Sequence, residues 1–195
     1  MFIVFEGIDG VGKSTQVRLL KEYFASQGQA VTTSFEPTNG TYGKLLRASA
    51  TRPEGRYSLE EEIGLFLQDR QEHLDTLIKP ALERGEVVIL DRYYYSNMAY
   101  QGARGMNPQT IKEQNEEFCL IPDLVILLTL PLEESLERIG LRDGEGDAFE
   151  SRESLQKCQA IFDTLEGDFI HRVSGLGSPE AIHERVRRLV TGVML

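Results

Sequence analysis

Gly7-Ile8-Asp9-Gly10-Val11-Gly12-Lys13-Ser14 fits the pattern G-x-x-x-x-G-K-[ST] at every fixed position. Each residue type in it has a task in holding a polyphosphate. The glycines let the backbone curl until successive N–H groups point at one anion. A helix starting near Lys13 adds its positive end. Lys13 can reach the β- and γ-phosphates, and the Ser14 hydroxyl can ligate Mg²⁺. Gly7, Ile8, Asp9, Gly10, Val11, Gly12, Lys13, Ser14 and Thr15 are therefore the expected stretch for a nucleoside triphosphate.

The loop does not say how the triphosphate is used. A GTP-reading switch carries Asn-Lys-x-Asp, which this sequence lacks. A water-activating ATPase usually ends its second motif strand in Asp-Glu. Here the apolar run Val87-Val88-Ile89-Leu90 ends in Asp91-Arg92. Asp91 suits a carboxylate that holds Mg²⁺, through water. Arg92 beside it suits a second anion, such as the phosphate of an acceptor.

Arg70 lies on an otherwise apolar helical stripe, one turn after Phe66 and one turn before Leu74. An inward charge needs a partner or a ligand. Phe66 and Arg70 at i, i+4 place a flat ring beside a planar donor fork, a pair that can stack on a base and bond its edge. An arginine at such a position can equally cap an internal carboxylate or reach out to solvent. After Arg92, the run Tyr93 to Gly102 interleaves Ser96, Asn97, Tyr100 and Gln101 with further aromatics. These hydroxyls and amides can read a base and crowd a sugar.

The elements that must carry these groups follow from hydropathy. Phe2 to Phe5, Ala30 to Phe35, Val87 to Leu90, Leu124 to Leu130 and Phe169 to Val173 read as strands. Between and after them run helical stripes: Val17 to Phe24, a short one at Lys44 to Ala50, and a long one from Ile63 to Leu82. Tyr93 to Gly105, Pro108 to Cys119, Leu132 to Ile139, Leu155 to Leu165 and Ile182 to Val193 complete the set. Strands alternating with helices imply crossover connections and an α/β fold, a five-stranded parallel sheet covered on both faces. In such three-layer folds ligands bind at the carboxyl ends of the strands. The phosphate loop, Asp91-Arg92 and the acceptor-side residues all fall there. The length of 195 residues suits a single domain over 1–195.

Composition narrows the partners. A formal net charge of −10 argues against nucleic acid or an anionic membrane surface. The longest apolar run, Leu124 to Leu132, is too short to span a bilayer, and Glu6 and the glycines interrupt the apolar start as no secretory leader would. Cys119 and Cys158 read as reduced, packed thiols, and a cytoplasmic setting is expected.

Three segments, FEGIDGVGKSTQ at 5–16, LDRYYYSNMAYQGARG at 90–105 and PDLVILLTL at 122–130, resemble thymidylate kinases in order and spacing. The resemblance implies a P-loop NTPase fold, ATP as donor with Mg²⁺, dTMP as acceptor, no general base, and a homodimer packed through helices near the acceptor site. It implies that Phe66 stacks on thymine, Arg70 contacts a base oxygen, and Asn97 and Gln101 read the pyrimidine edge. Tyr100 would lie near the sugar with Ser96 beside it, Arg92 would hold the acceptor phosphate, and Asp9 would face the acceptor sugar or the metal shell. Glu36-Pro37 matches the family's loop after the second strand. A mobile lid is implied at 138–150. Three positions depart from the family: Phe35 stands where many members have arginine, Val11 where some have a cation, and Ala148 where the lid pattern has arginine. Arg142, and secondarily Arg138 or Arg152, would then supply the lid charge, making Lys13, Arg92, Arg142 and Asp9 the catalytic set. Two alternatives stand beside this reading. One is a kinase for a deoxynucleoside, with Glu36 as the base its neutral hydroxyl requires, or for another nucleoside monophosphate. The other is a nucleotide-binding switch without phosphoryl transfer.

Overall fold

The structure, a computed structural model, describes residues 1–49, 57–143 and 148–193, with side chains throughout except at 141–151. Five strands, β1 (Phe2–Glu6), β2 (Val31–Phe35), β3 (Val87–Asp91), β4 (Leu124–Thr129) and β5 (Ile170–Ser174), form one sheet in the order β2-β3-β1-β4-β5. Every pairing is parallel. β1, β3 and β4 are the central strands and are buried almost end to end, which is why they read as unbroken apolar runs. The edge strands β2 and β5 are only partly covered and carry threonine, serine, histidine and arginine.

The helices are α1 (Lys13–Ser26), α2 (Thr41–Ser49), α3 (Leu59–His73), α4 (Lys79–Glu83), α5 (Tyr94–Ala103), α6 (Pro108–Glu116), α7 (Leu132–Asp143), α8 (Ala148–Asp163) and α9 (Pro179–Val193). The connection from β1 to β2 steps one way across the sheet, and those from β2 to β3, β3 to β4 and β4 to β5 step the other way. Right-handed crossovers therefore send α1 to one face and α3 to α8 to the other. The packing agrees: α1 meets α9, while α5 meets α3, α6 and α8. The fold is thus the three-layer α/β arrangement expected from the sequence.

The long stripe from Ile63 to Leu82 is one rod with a fault in it. Ser58 and Glu61 start it with reciprocal bonds, Ser58 N–H to Glu61 at 2.9 Å and Glu61 N–H to Ser58 Oγ at 3.2 Å. Leu74–Ile78 then widens to a π-turn, in which the Lys79 N–H reaches back to the Leu74 carbonyl. Pro80 follows at once; it has no N–H to give and its ring crowds the preceding turn, so the helix widens before it.

The direction of travel across the sheet reverses between β1 and β3, and that crevice is where such folds bind ligands. Register places Phe5 beside Asp91. The phosphate loop, leaving β1, and Arg92, leaving β3, therefore emerge side by side.

Candidate active site

The phosphate loop runs from Gly7 into α1. Gly7 sits at φ 133, and a Cβ there would lie 2.5 Å from the Leu128 carbonyl oxygen. Gly12 sits at φ 97 with open space where a side chain would point. Ile8 and Val11 turn into the core, so only their backbone is left for a ligand of the loop. Lys13 is buried, and its Nζ donates to the Gly7 and Ile8 carbonyls at 2.9 Å each. Burial and the nearby Arg92 charge lower the Lys13 ammonium to about 8, against the pull of Asp91, Asp9 and Glu6. Thr15 is half-buried in the first turn of α1.

Ser14 Oγ donates to Asp91 Oδ2, and Asp91 Oδ1 is buried with no hydrogen-bond partner. A hydroxyl and an unsatisfied carboxylate oxygen beside the phosphate loop form a hard-oxygen pair that fits Mg²⁺, which takes few protein ligands and otherwise uses water and phosphate.

Arg92 bridges the phosphate loop and α5. Its backbone lies at φ 73, and its N–H donates to the Phe5 carbonyl at 2.9 Å. Its guanidinium donates to Asp9 Oδ1 at 2.6 Å and Ser96 Oγ at 3.0 Å, and it lies 4.9 Å from the centre of the Tyr100 ring. Tyr100 donates its hydroxyl to Asp9 Oδ2 at 2.9 Å. Asp9, Arg92, Ser96 and Tyr100 are thus one hydrogen-bonded group.

A cavity of about 210 Å³ opens beside it, walled by Glu36, Pro37, Phe66, Arg70, Arg92, Tyr93, Ser96, Asn97, Tyr100 and Gln101. Apart from Asp9, which reaches this wall through Arg92 and Tyr100, every expected acceptor residue lines it. Arg70 is the buried arginine that the sequence marked, and it is also the arginine that caps a carboxylate. Its Nε donates to Glu36 Oε2 at 2.8 Å, one terminal nitrogen to Asn97 Oδ1 at 2.6 Å, and the other to Asn115 Oδ1. Glu36 Oε1 faces His73 Nδ1 at 3.1 Å, and His73 Nε2 faces Ser34 Oγ at 2.8 Å. Glu36 thus braces Arg70 through Oε2. Arginine can only donate, so Asn97 must turn its oxygen to Arg70 and its nitrogen to Gln101 Oε1, 3.3 Å away.

Several of these partners were not singled out from the sequence. Glu6 accepts three hydrogen bonds from the start of α5. Burial pushes its carboxyl up to about 7, opposed by the Ser96 bond and the Arg92 charge. Asp69 ties down Thr38 through its N–H at 2.7 Å and its hydroxyl at 2.6 Å. A buried Asp69-Arg70 pair on an apolar stripe was the available signal for Asp69. For Asn115 and His73 local pattern held none.

The loop after β5 lies against the phosphate loop. Gly175 N–H donates to the Thr129 carbonyl at 2.7 Å, and a Cβ on Gly175 would lie 3.2 Å from the Val11 carbonyl oxygen. Gln16 Nε2 donates to the Pro179 carbonyl at 2.9 Å, and Arg138 to the Gly175 carbonyl at 3.1 Å. Arg152 pairs with Glu133. The Arg142 side chain and residues 144–147 of the expected lid lie outside the described residues.

A second binding cavity opening beside a triphosphate loop, with an arginine shared at the boundary, defines a P-loop phosphotransferase acting on a small acceptor. Among the described residues no helix is long and apolar enough to cross a membrane. A family model described as thymidylate kinase matches residues 5–186. A thymidylate kinase of Akkermansia muciniphila is 49% identical over 97% of this chain and 90% of its own length. Those of Desulfotalea psychrophila and Xanthomonas euvesicatoria pv. vesicatoria are 42% and 41% identical, over 94% and 100% of this chain and 91% and 84% of their own lengths. The chain belongs to the thymidylate kinase family.

Proposed function

We propose that this chain transfers the γ-phosphoryl group of ATP to dTMP, with dTMP seated in the cavity between Phe66, Arg70 and Arg92. The observation that carries this reading is Arg70. Arg70 lines the cavity, and its fork is held among oxygen acceptors, so it presents a donor at that wall. A base presenting a carbonyl there is bonded, and one presenting an amino group meets donor against donor. Thymine satisfies this edge and cytosine does not. Phe66 stacks on the ring, Asn97 and Gln101 complete the edge, Tyr100 crowds the sugar with Asp9 behind it, and Arg92 with Ser96 holds the acceptor phosphate.

The nucleophile is an acceptor phosphate oxygen. A phosphate monoester loses its second proton near pH ~6, so no general base is required. The difficulty is bringing two anions into line, and catalysis is mainly positioning and positive charge. The loop amides and Lys13 hold the donor phosphates. Ser14 and Asp91 would hold Mg²⁺, which when bound neutralises charge on the transferring group. Arg142 is the sequence-based choice for a cation closing over the γ-phosphate from a lid at 138–150. The loop from Gly175 to Pro179 suits the adenine side. The family resemblance supports a homodimer acting in the cytoplasm, on free nucleotides, as one domain over the full chain.

A coupled ADP-release assay with ATP and Mg²⁺ tests the reading, comparing dTMP, dUMP, dCMP, dAMP and thymidine. Turnover highest with dTMP and weakest with dCMP is expected. Turnover with thymidine alone would replace the reading with a nucleoside kinase, and ATP binding without any turnover would return it to a switch.

A further inference from the structure

Glu6 has no part in the reaction described above, yet it is wholly buried and hydrogen-bonded through both oxygens. Oε1 accepts the Tyr93 N–H at 2.7 Å and the Ser96 N–H at 3.2 Å; Oε2 accepts the Ser96 hydroxyl at 2.6 Å. The Ser96 oxygen in turn accepts from Arg92 at 3.0 Å. A serine hydroxyl has one hydrogen, and Glu6, once ionised above about pH 7, can only accept. The Ser96 hydrogen is therefore committed to Glu6, which leaves its lone pairs facing the Arg92 guanidinium.

Arg92 needs such support. Its φ of 73 is a left-handed conformation that costs a residue with a side chain energy, and it persists only when the surroundings hold it. Glu6 holds the residues that follow it, Tyr93 and Ser96, from the end of β1. Glu6 is also the residue before Gly7, whose carbonyl takes the Lys13 ammonium. One carboxylate thus connects the loop that holds the donor to the arginine that meets the acceptor.

We propose that Glu6 is a positioning residue for phosphoryl transfer, acting through the Ser96 hydroxyl to aim Arg92 at the acceptor phosphate. The inference rests on the role given to Arg92 above. A carboxylate that only capped α5 would support folding without favouring one substrate over the other.

Glu6→Gln separates the two roles because it keeps the shape and reverses one polarity. The new amide NH₂ facing Ser96 would turn the Ser96 hydrogen toward Arg92, donor against donor. Steady-state kinetics of the full-length chain would vary dTMP at saturating ATP, and ATP at saturating dTMP. The KM for dTMP should rise about tenfold, the scale of one hydrogen bond to a charged group, with the KM for ATP essentially unchanged. Ser96→Ala cuts the same relay while keeping Glu6 and its bonds from the Tyr93 and Ser96 N–H groups, so it serves even if Glu6→Gln fails to fold. It should raise the KM for dTMP similarly, and the double variant should add little more. An unchanged KM for dTMP in Ser96→Ala, equal rises for both substrates in Glu6→Gln, or effects that multiply in the double variant would overturn the proposal. Arg92→Lys, run alongside, identifies which idea failed. If it leaves the KM for dTMP unchanged, the role of Arg92 is wrong; if it raises that KM and Glu6→Gln does not, the role of Glu6 is wrong.

Discussion

Arg70 and Glu36 form an ion pair shut off from water, 1% and 4% exposed, with the Arg70 Nε 2.8 Å from Glu36 Oε2. The two come from α3 and the turn after β2, and the pair forms a wall of the cavity beside Arg92. Breaking a buried pair from one side leaves the other charge unpaired, and this is what makes it costly. Glu36→Gln should therefore destabilise the protein by about 3 kcal/mol or more and raise the KM for dTMP. Chemical denaturation gives the first quantity and steady-state kinetics the second.

Arg70→Lys tests recognition of the base edge. An ammonium keeps the charge but loses the planar fork that Glu36, Asn97 and Asn115 hold in place. The preference for dTMP over dCMP, measured as a ratio of kcat/KM values, should narrow at least about tenfold, the scale of one charged hydrogen bond. A ratio equal to that of the unmodified chain would remove Arg70 from base reading.

The Lys13 ammonium donates to two carbonyls of the phosphate loop. Lys13→Ala should leave the thermal midpoint within a few degrees of the original and lower kcat at least about 10²-fold, as losing a preorganised charge does. Turnover near that of the unmodified chain would sink the mechanism.

Gly7 and Gly12 both have positive φ but differ in their surroundings. Alanine at Gly12 meets nothing within 4 Å, so it bears backbone strain alone, about 1–2 kcal/mol. Alanine at Gly7 must in addition move the Leu128 carbonyl, near the carboxyl end of β4. Gly7→Ala should be the more destabilising, and equal melting shifts would contradict the packing described.

The pH dependence of stability has a defined sign at Glu6. Burial raises its folded carboxyl to about 7 from an ordinary 4.5, with Ser96 and Tyr93 of α5, Arg92 after β3 and Lys13 of α1 opposing the rise. Between those values the folded chain holds a proton that the unfolded chain has released. The contribution of Glu6 to stability is thus greatest below the unfolded value and is lost as pH rises through 7. Glutamine does not titrate. The melting point of Glu6→Gln relative to the unmodified chain should therefore move upward between pH 5 and 7.5, and a flat difference would mean that Glu6 is not shifted.

How much of this could be read without coordinates depends on how far apart the cooperating atoms lie along the chain. The phosphate loop is contiguous, so the residues that cradle a phosphate declare themselves by type and spacing. β1, β3 and β4 are covered on both faces, so burial leaves an unbroken apolar run in each. Arg70 was visible as a charge on an apolar stripe, since burying an unpaired guanidinium is too costly to be idle. The same stripe read as one unbroken helix, because the π-turn before Pro80 keeps its apolar residues facing inward.

The sequence alone determined the class of fold and the family, and it marked the phosphate loop and most of the side chains that wall the cavity beside Arg92. Only the tertiary structure decided how those residues are held. Arg70 and Asn115 are 45 residues apart, Glu36 and His73 37, and Glu6 and Ser96 90. A hydrogen bond across such a separation leaves no periodicity to read, because its partners meet only when the sheet brings the ends of β1, β2 and β3 together.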